Sequence, residues 1–273
     1  MRMLVLLLTT ALASPSLAGE TPWQDVGPGA RARLISSNVL KPDGTTLIGL
    51  ELDMPTSTNT YWRVPGETGI PTVFDFAGST GVVGDEVLWP YPLVETKSGY
   101  VDFVYRGPTV LPVELKLDGA ATDLKVAVLM GVCSDICVPV SISFVLPLDL
   151  ATPDRAQDLR LAQAVALTPL PWQDAHDPVA WVGYDSGAKA LAVKLDGGEV
   201  DPLSLIADAG EGGQLFGAPQ KSPDGNLVLL PLLGGEGSRD VEGKPVRLTF
   251  MTDMGPFSVE RRIESAGSTL ADD

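Results

Sequence analysis

Leu124-Lys125-Val126-Ala127-Val128-Leu129-Met130-Gly131-Val132-Cys133-Ser134-Asp135-Ile136-Cys137-Val138-Pro139-Val140-Ser141-Ile142-Ser143-Phe144-Val145-Leu146 consists of two strand-like runs around a short polar turn. Leu124 to Val132 leads in, Val138 to Leu146 leads out, and Ser134-Asp135-Ile136 is the turn. Cys133 and Cys137 are the only two cysteines of 273 residues. A hairpin of this kind brings its flanking residues within disulfide reach, which needs Cα atoms no more than about 7 Å apart.

Similar runs recur on both sides. Upstream lie Arg31 to Ser36, Thr46 to Asp53, Glu86 to Trp89, Val101 to Tyr105 and Val110 to Leu117. Pro112-Val113-Glu114-Leu115-Lys116-Leu117 alternates apolar and polar residues, the mark of a strand with one buried and one wet face. Gly (29) and Pro (23) are spread along the chain, as many short strands and turns require. Helical periodicity is nearly absent outside Asp154 to Val165. There Thr152 is expected to cap a helix with Pro153 at its first position, and Pro169 and Pro171 end it. Strand runs then resume: Val179 to Tyr184, Ala190 to Leu195, Leu203 to Ala207, Leu227 to Leu232, Val246 to Met251 and Phe257 to Ile263. Turn signals such as Asp196-Gly197-Gly198 and Pro223-Asp224-Gly225-Asn226 separate them. The reading is an all-β chain of two β-sandwich domains. Residues 19–150 form the first, 151–175 a short helical linker, 176–265 a smaller second sandwich and 266–273 a flexible tail.

The first residues speak to compartment. Met1-Arg2-Met3 gives a positive start, Leu4 to Leu12 an apolar run, and Ser16-Leu17-Ala18 small residues at a cleavage site. Residues 1–18 read as a secretory signal peptide, too short for the roughly 20 apolar residues of a membrane span. The mature chain is expected to be exported, where disulfides persist. Without residues 1–18 it has 18 basic and 35 acidic residues, a net charge of −17. That excess argues against nucleic acid and anionic lipid as partners.

Three readings of the cysteine pair stand side by side. As a staple, so short a ring contributes only about 2 kcal/mol, against about 4.7 for a loop of 100 residues. As a metal clip, Met130, Cys133 and Cys137 form a soft set suited to Cu(I), the chemistry of copper tolerance. The same cysteine spacing occurs in copper chaperones of the Sco type, but the only histidine, His176, lies far away in the linker region, at the linker's end. As a redox switch, the pair needs a thiolate, which nearby positive charge normally favours. Asp135, between the sulfurs, has the opposite sign. This suits a disulfide opened by a partner's thiolate, the partner supplying the activation.

Further motifs carry a resemblance. Tyr100-Val101-Asp102-Phe103-Val104-Tyr105, Leu111-Pro112-Val113 and Gly131-Val132-Cys133-Ser134-Asp135-Ile136-Cys137-Val138-Pro139 resemble the periplasmic N-terminal domain of the DsbD family. Asn59-Thr60-Tyr61-Trp62-Arg63-Val64-Pro65-Gly66-Glu67-Thr68-Gly69-Ile70-Pro71 and Phe74-Asp75-Phe76-Ala77-Gly78-Ser79 resemble its upstream strand and loop. The Cys-x3-Cys-x-Pro form is similar to the ScsB-like branch, and Leu215-Phe216-Gly217-Ala218-Pro219 and Pro245 to Phe250 resemble that branch's second module. The resemblance implies immunoglobulin-like sandwiches and a thiol-disulfide oxidoreductase of the protein-disulfide reductase type, with no bound cofactor. Cys133 and Cys137 become the redox residues, with Cys137 the one engaged in mixed disulfides. Tyr61 and Trp62 become candidates to shield the pair, and Asp135 and Pro139 its immediate surroundings. The implied partners are a membrane-embedded electron donor of the DsbD/CcdA kind and thioredoxin-fold periplasmic clients. The 273 residues contain no transmembrane or thioredoxin-like domain, so that donor is expected to be a separate protein.

Overall fold

A computed structural model describes residues 19–119, 123–223, 225–234 and 241–265. The expected signal peptide and tail lie outside the described residues. Eleven strands make the first part of the chain: β1 (Gln24–Gly27), β2 (Ala30–Ser36), β3 (Thr45–Asp53), β4 (Asn59–Gly66), β5 (Val73–Asp75), β6 (Val82–Val87), β7 (Leu93–Lys97), β8 (Tyr100–Arg106), β9 (Thr109–Leu117), β10 (Asp123–Cys133) and β11 (Cys137–Pro147). They build two antiparallel sheets, in the orders β1-β2-β3-β9-β6 and β11-β10-β4-β8-β7, with β5 also paired to β10.

Alternation drives the packing. Leu124, Val126, Val128, Met130 and Val132 of β10 face inward and are at most 1% exposed. They meet Leu34, Leu50, Leu111, Val113 and Leu115 of the opposite sheet in one apolar core. The sandwich therefore buries one face of each sheet, as period-two sequences require.

The helix α1 (Arg155–Val165) follows. Its N-cap is Asp154, not Thr152: the Asp154 carboxylate accepts hydrogen bonds from the Ala156 and Gln157 amides, with its own backbone extended. An ionised side chain in cap position satisfies two otherwise orphaned amides, which leaves Pro153 just outside the helix. Fully buried Leu161 sits over Gly49 of β3, where an added Cβ would lie 2.7 Å from Leu161 Cδ2. The helix is thus laid on the outer face of the first sandwich.

The rest is a second sandwich: β12 (Leu170–Pro171), β13 (Val179–Asp185), β14 (Ala190–Leu195), β15 (Ile206–Asp208), β16 (Leu215–Phe216), β17 (Gln220–Lys221), β18 (Leu227–Leu233), β19 (Pro245–Thr252) and β20 (Gly255–Arg262). Its sheets run β12-β20-β19-β15 and β13-β14-β18-β16, with β17 added to β18. The expected strand from Leu203 begins later, because Pro202–Ser204 forms a 3-10 turn capped by Asp201. The chain is all-β and immunoglobulin-like in architecture. The halves touch closely: Arg63 pairs with Asp208 at 2.7 Å, the Tyr91 hydroxyl donates to the Ser204 carbonyl, and Ile206 belongs to the core of the first sandwich.

Candidate redox site

The hairpin pairs in continuous register from Asp123↔Pro147 to Cys133↔Cys137. Its last rung is a disulfide, with Cα atoms 4.0 Å apart. Three residues close the turn, and Ile136 at its tip is 73% exposed. The two sulfurs differ in access. Cys133 is 3% exposed, whereas Cys137 stands on the surface.

Tyr61 contacts both sulfurs and clusters with the buried Cys133. It lies on β4, whose Asn59 pairs with Cys133. Its hydroxyl is 3.0 Å from Cys133 Sγ and 3.1 Å from Cys137 Sγ. Bonded sulfurs carry no proton, so the phenol donates to both. Tyr61, Val104 and Cys133 form a small apolar cluster apart from the main core. Burial pushes the Tyr61 phenol above its usual range, and the Asp102 and Glu95 carboxylates add to this, while hydrogen bonds with Asn59 and Thr68 oppose it. The phenol therefore keeps its proton at ordinary pH and remains a donor.

The space around the ring is made by glycines. A Cβ on Gly131 would come within 3.1 Å of the Tyr61 ring and of Ile70, and one on Gly69 within 2.3 Å of the ring. The 66–70 segment is held by Asp102, which accepts from the Thr68 amide at 2.9 Å, and by the Thr68 hydroxyl. The motifs that carry the resemblance include Gly69 and Gly131, but the sequence gives neither a role. The available signal was Gly131 inside a strand of otherwise bulky residues, which marks a close approach.

Other expected site residues fall elsewhere. Trp62 does not shield the pair: it is fully buried between the sheets, edge-on to Phe103 at 5.9 Å between ring centres. Neighbours on a strand point to opposite faces, so Tyr61 and Trp62 cannot share one role. The same rule removes Met130 from any ligand set, since it faces the core while Cys133 faces Tyr61. No group of three His, Cys, Asp or Glu residues fit to hold a metal occurs among the described residues. Asp135 and Pro139 are both exposed, at the turn and on β11.

Comparisons with known proteins agree with this geometry. Residues 30–149 match the family model for the N-terminal part of the thiol:disulfide interchange protein DsbD. The crystal structure of the N-terminal periplasmic domain of ScsB from Proteus mirabilis is similar in fold, with TM-score 0.72 and 24% identity, covering 90% of this chain and 99% of that one. No curated protein matches the chain significantly in sequence. The chain carries a DsbD N-terminal-like domain, and its Cys133–Cys137 disulfide places that domain in the thiol-disulfide interchange class.

Proposed function

We propose that the chain is a periplasmic protein-disulfide reductase, passing electrons from a membrane-embedded donor to thioredoxin-fold clients. The observation that carries this reading is the unequal exposure of the two sulfurs. An incoming thiolate reaches Cys137 Sγ, forms the mixed disulfide and breaks the Cys133–Cys137 bond. Cys133 leaves with the electron pair as a thiolate, directly into the hydrogen bond from Tyr61. A second thiol on the donor then attacks the mixed disulfide and releases Cys137, leaving both cysteines reduced and the donor oxidised. Delivery to a client runs the same steps in reverse, with Cys137 as attacking thiolate and Cys133 resolving. Solvent access, not a basic neighbour, selects Cys137, and the partner supplies the activated thiolate. No helix among the described residues is long and apolar enough to cross a membrane, which fits an aqueous site of exchange.

The test is trapping. The reduced Cys133→Ala variant, incubated with an oxidised thioredoxin-fold protein, is expected to accumulate a mixed disulfide through Cys137. The Cys137→Ala variant is expected to give little, since Cys133 is covered. Absence of adduct from both variants would overturn the proposal.

A further inference from the structure

The second sandwich meets the first across a cleft of about 970 Å³, which neither Tyr61 nor the two cysteines line. Its floor is one face of the ladder between β19 and β20. Val246, Leu248 and Phe250 belong to the core of the second sandwich, so Arg247 and Thr249 between them face outward. Across the ladder Arg247 is opposite Glu260 and Thr249 is opposite Ser258. On its other side Thr249 is opposite Ile206, whose side chain enters the first core. That neighbour explains why a threonine on an outer face is only 1% exposed. Arg63 of β4 and residues 86–89 bring the first sandwich to the cleft, and the linker after α1 completes it. The linker is tied to both halves. The Thr168 hydroxyl donates to the Leu88 carbonyl at 3.2 Å, and the Trp172 amide donates to the Ser258 carbonyl at 2.9 Å. The cleft is thus preformed, as ligand sites usually are.

Two polar atoms of the cleft residues are buried and have no hydrogen-bond partner among the described residues: the Thr249 hydroxyl and Arg63 Nη2. A hydroxyl donates once and accepts twice, and a guanidinium keeps its five N–H donors at any ordinary pH. Native structures rarely leave such groups unpaired, because the desolvation is then uncompensated. Arg63 is also crowded. Burial works against its charge, the Asp208 carboxylate favours it, and the nearby charge of Arg247 opposes it. Asp208 engages Arg63 through Nε. Arg247 is the movable member: its pair with Glu260 is exposed on both sides, the kind that contributes little to stability. The cleft carries the opposite sign as well. Glu86 and Asp174 line it, are exposed, and enter no ion pair among the described residues. Asp177 is paired with Arg261. A free anion would meet more carboxylates than guanidiniums here, and a free cation would leave Arg63 and Thr249 unpaired.

We propose that the cleft binds a short peptide with free ends, its carboxylate taken by Arg63, Arg247 and the Thr249 hydroxyl and its ammonium by Glu86 and Asp174. Arg247 turns from Glu260 to the guest, and Arg63 Nη2 and the Thr249 hydroxyl gain the acceptor they lack. A guanidinium meets a carboxylate as a planar fork, through charge-assisted hydrogen bonds about twice as strong as neutral ones. A zwitterion is the guest that satisfies both signs at once. The size agrees, since pockets of about 300–1,000 Å³ hold ligands of the bulk of about two to four residues. Trp172 lines the cleft, held edge-on to Phe257 at 5.1 Å between ring centres, and gives the guest a rigid apolar wall. This binding is separate from the disulfide and involves no redox step.

The experiment titrates the full, oxidised chain with the tripeptide alanyl-tyrosyl-alanine, with its N-acetylated and C-amidated forms, and with sodium sulfate. Calorimetry reads the affinity, and the Trp172 indole and Thr249 amide resonances read the place. The free peptide is expected to bind with a Kd below about 1 mM and to move both resonances. Blocking either end is expected to weaken binding by about tenfold or more. Arg247→Gln, at the surface, and Thr249→Val, which keeps the side chain's shape, are each expected to weaken the free peptide by about tenfold. Thr249→Val should leave the melting temperature of the unliganded protein unchanged or raised, since it removes an unpaired buried hydroxyl. No saturable binding of the free peptide, or equal affinity for free and end-blocked peptides, would overturn the site. Sulfate binding as tightly as the peptide would also overturn it and leave an anion site only. So would a lower melting temperature for Thr249→Val with unchanged peptide affinity, which would assign the hydroxyl to the fold alone.

Discussion

At the residue scale, the chemistry depends on one hydroxyl. Tyr61 donates to both sulfurs in the disulfide, and on reduction the same proton faces a forming thiolate. Hydrogen bonds to charged acceptors are about twice as strong as neutral ones, so Tyr61 stabilises the reduced, ionised pair more than the oxidised one. Tyr61→Phe should therefore raise the Cys133 thiol pKa and lower the reduction potential by about 20–40 mV, the equivalent of roughly 1–2 kcal/mol in a two-electron couple. Reduction by a small dithiol should slow by about tenfold. Equilibration against glutathione, with stability followed in parallel, checks this; a potential equal to that of the unsubstituted protein would remove Tyr61 from the mechanism. The sequence showed both Tyr61 and Trp62 as aromatic candidates, but not which of them faces the sulfurs. Adjacent residues on a strand must divide between its faces. Which one goes inward depends on the register of β4, and β4 is irregular between Tyr61 and Gly66.

At the element scale, the hairpin was legible because its two apolar runs mirror each other about a three-residue turn. Rung after rung, an inward residue of one run meets an inward residue of the other, as Met130 meets Val140 and Val126 meets Phe144. The short strands β5 and β7 were not legible. They are largely exposed and carry no alternating apolar face, so nothing in their composition separates them from loop. The helix was legible as a helix but not as a docked one, because the partner of Leu161 is an absence, the missing side chain of Gly49. That contact yields a prediction. Leu161→Ala should cost about 2–5 kcal/mol in urea unfolding, and Gly49→Ala about 1–3 through overpacking. The double variant should lose less than the sum of the two, since the new methyl enters the space that Leu161 vacates. Additive losses would show that the two residues do not share that space.

At the scale of the whole molecule, the halves are joined by groups far apart in sequence. Arg63 and Asp208 are 145 residues apart, and the Asp208 side chain is 8% exposed. No spacing rule connects such positions, so the interface was beyond reach until both sandwiches were in place. Tyr91 reports on the same interface. Burial pushes its phenol up to about 12, the Ser204 side chain opposes the rise, and the carboxylate of Asp201 adds to it. An unfolded tyrosine titrates near 10. The folded state thus holds this proton more tightly, and the contribution is complete below about pH 10 and lost as pH rises towards 12. Melting temperature should fall over that window, and Tyr91→Phe should flatten part of the fall while lowering stability at neutral pH by about 1 kcal/mol for the lost hydrogen bond. Thermal melts by circular dichroism at intervals between pH 8 and 12 would decide it; a Tyr91→Phe curve parallel to that of the unsubstituted protein would refute the assignment.

Ile206 carries a consequence for descent. Its strand belongs to the second sandwich, yet its side chain completes the core of the first. A lineage that lost the second sandwich would leave a hole there and would have to fill it with a larger residue of its own. One that exchanged the second sandwich for another would need the newcomer to bring an equivalent plug. A compensating large residue at that spot is the mark to look for in any relative that stands on one sandwich alone.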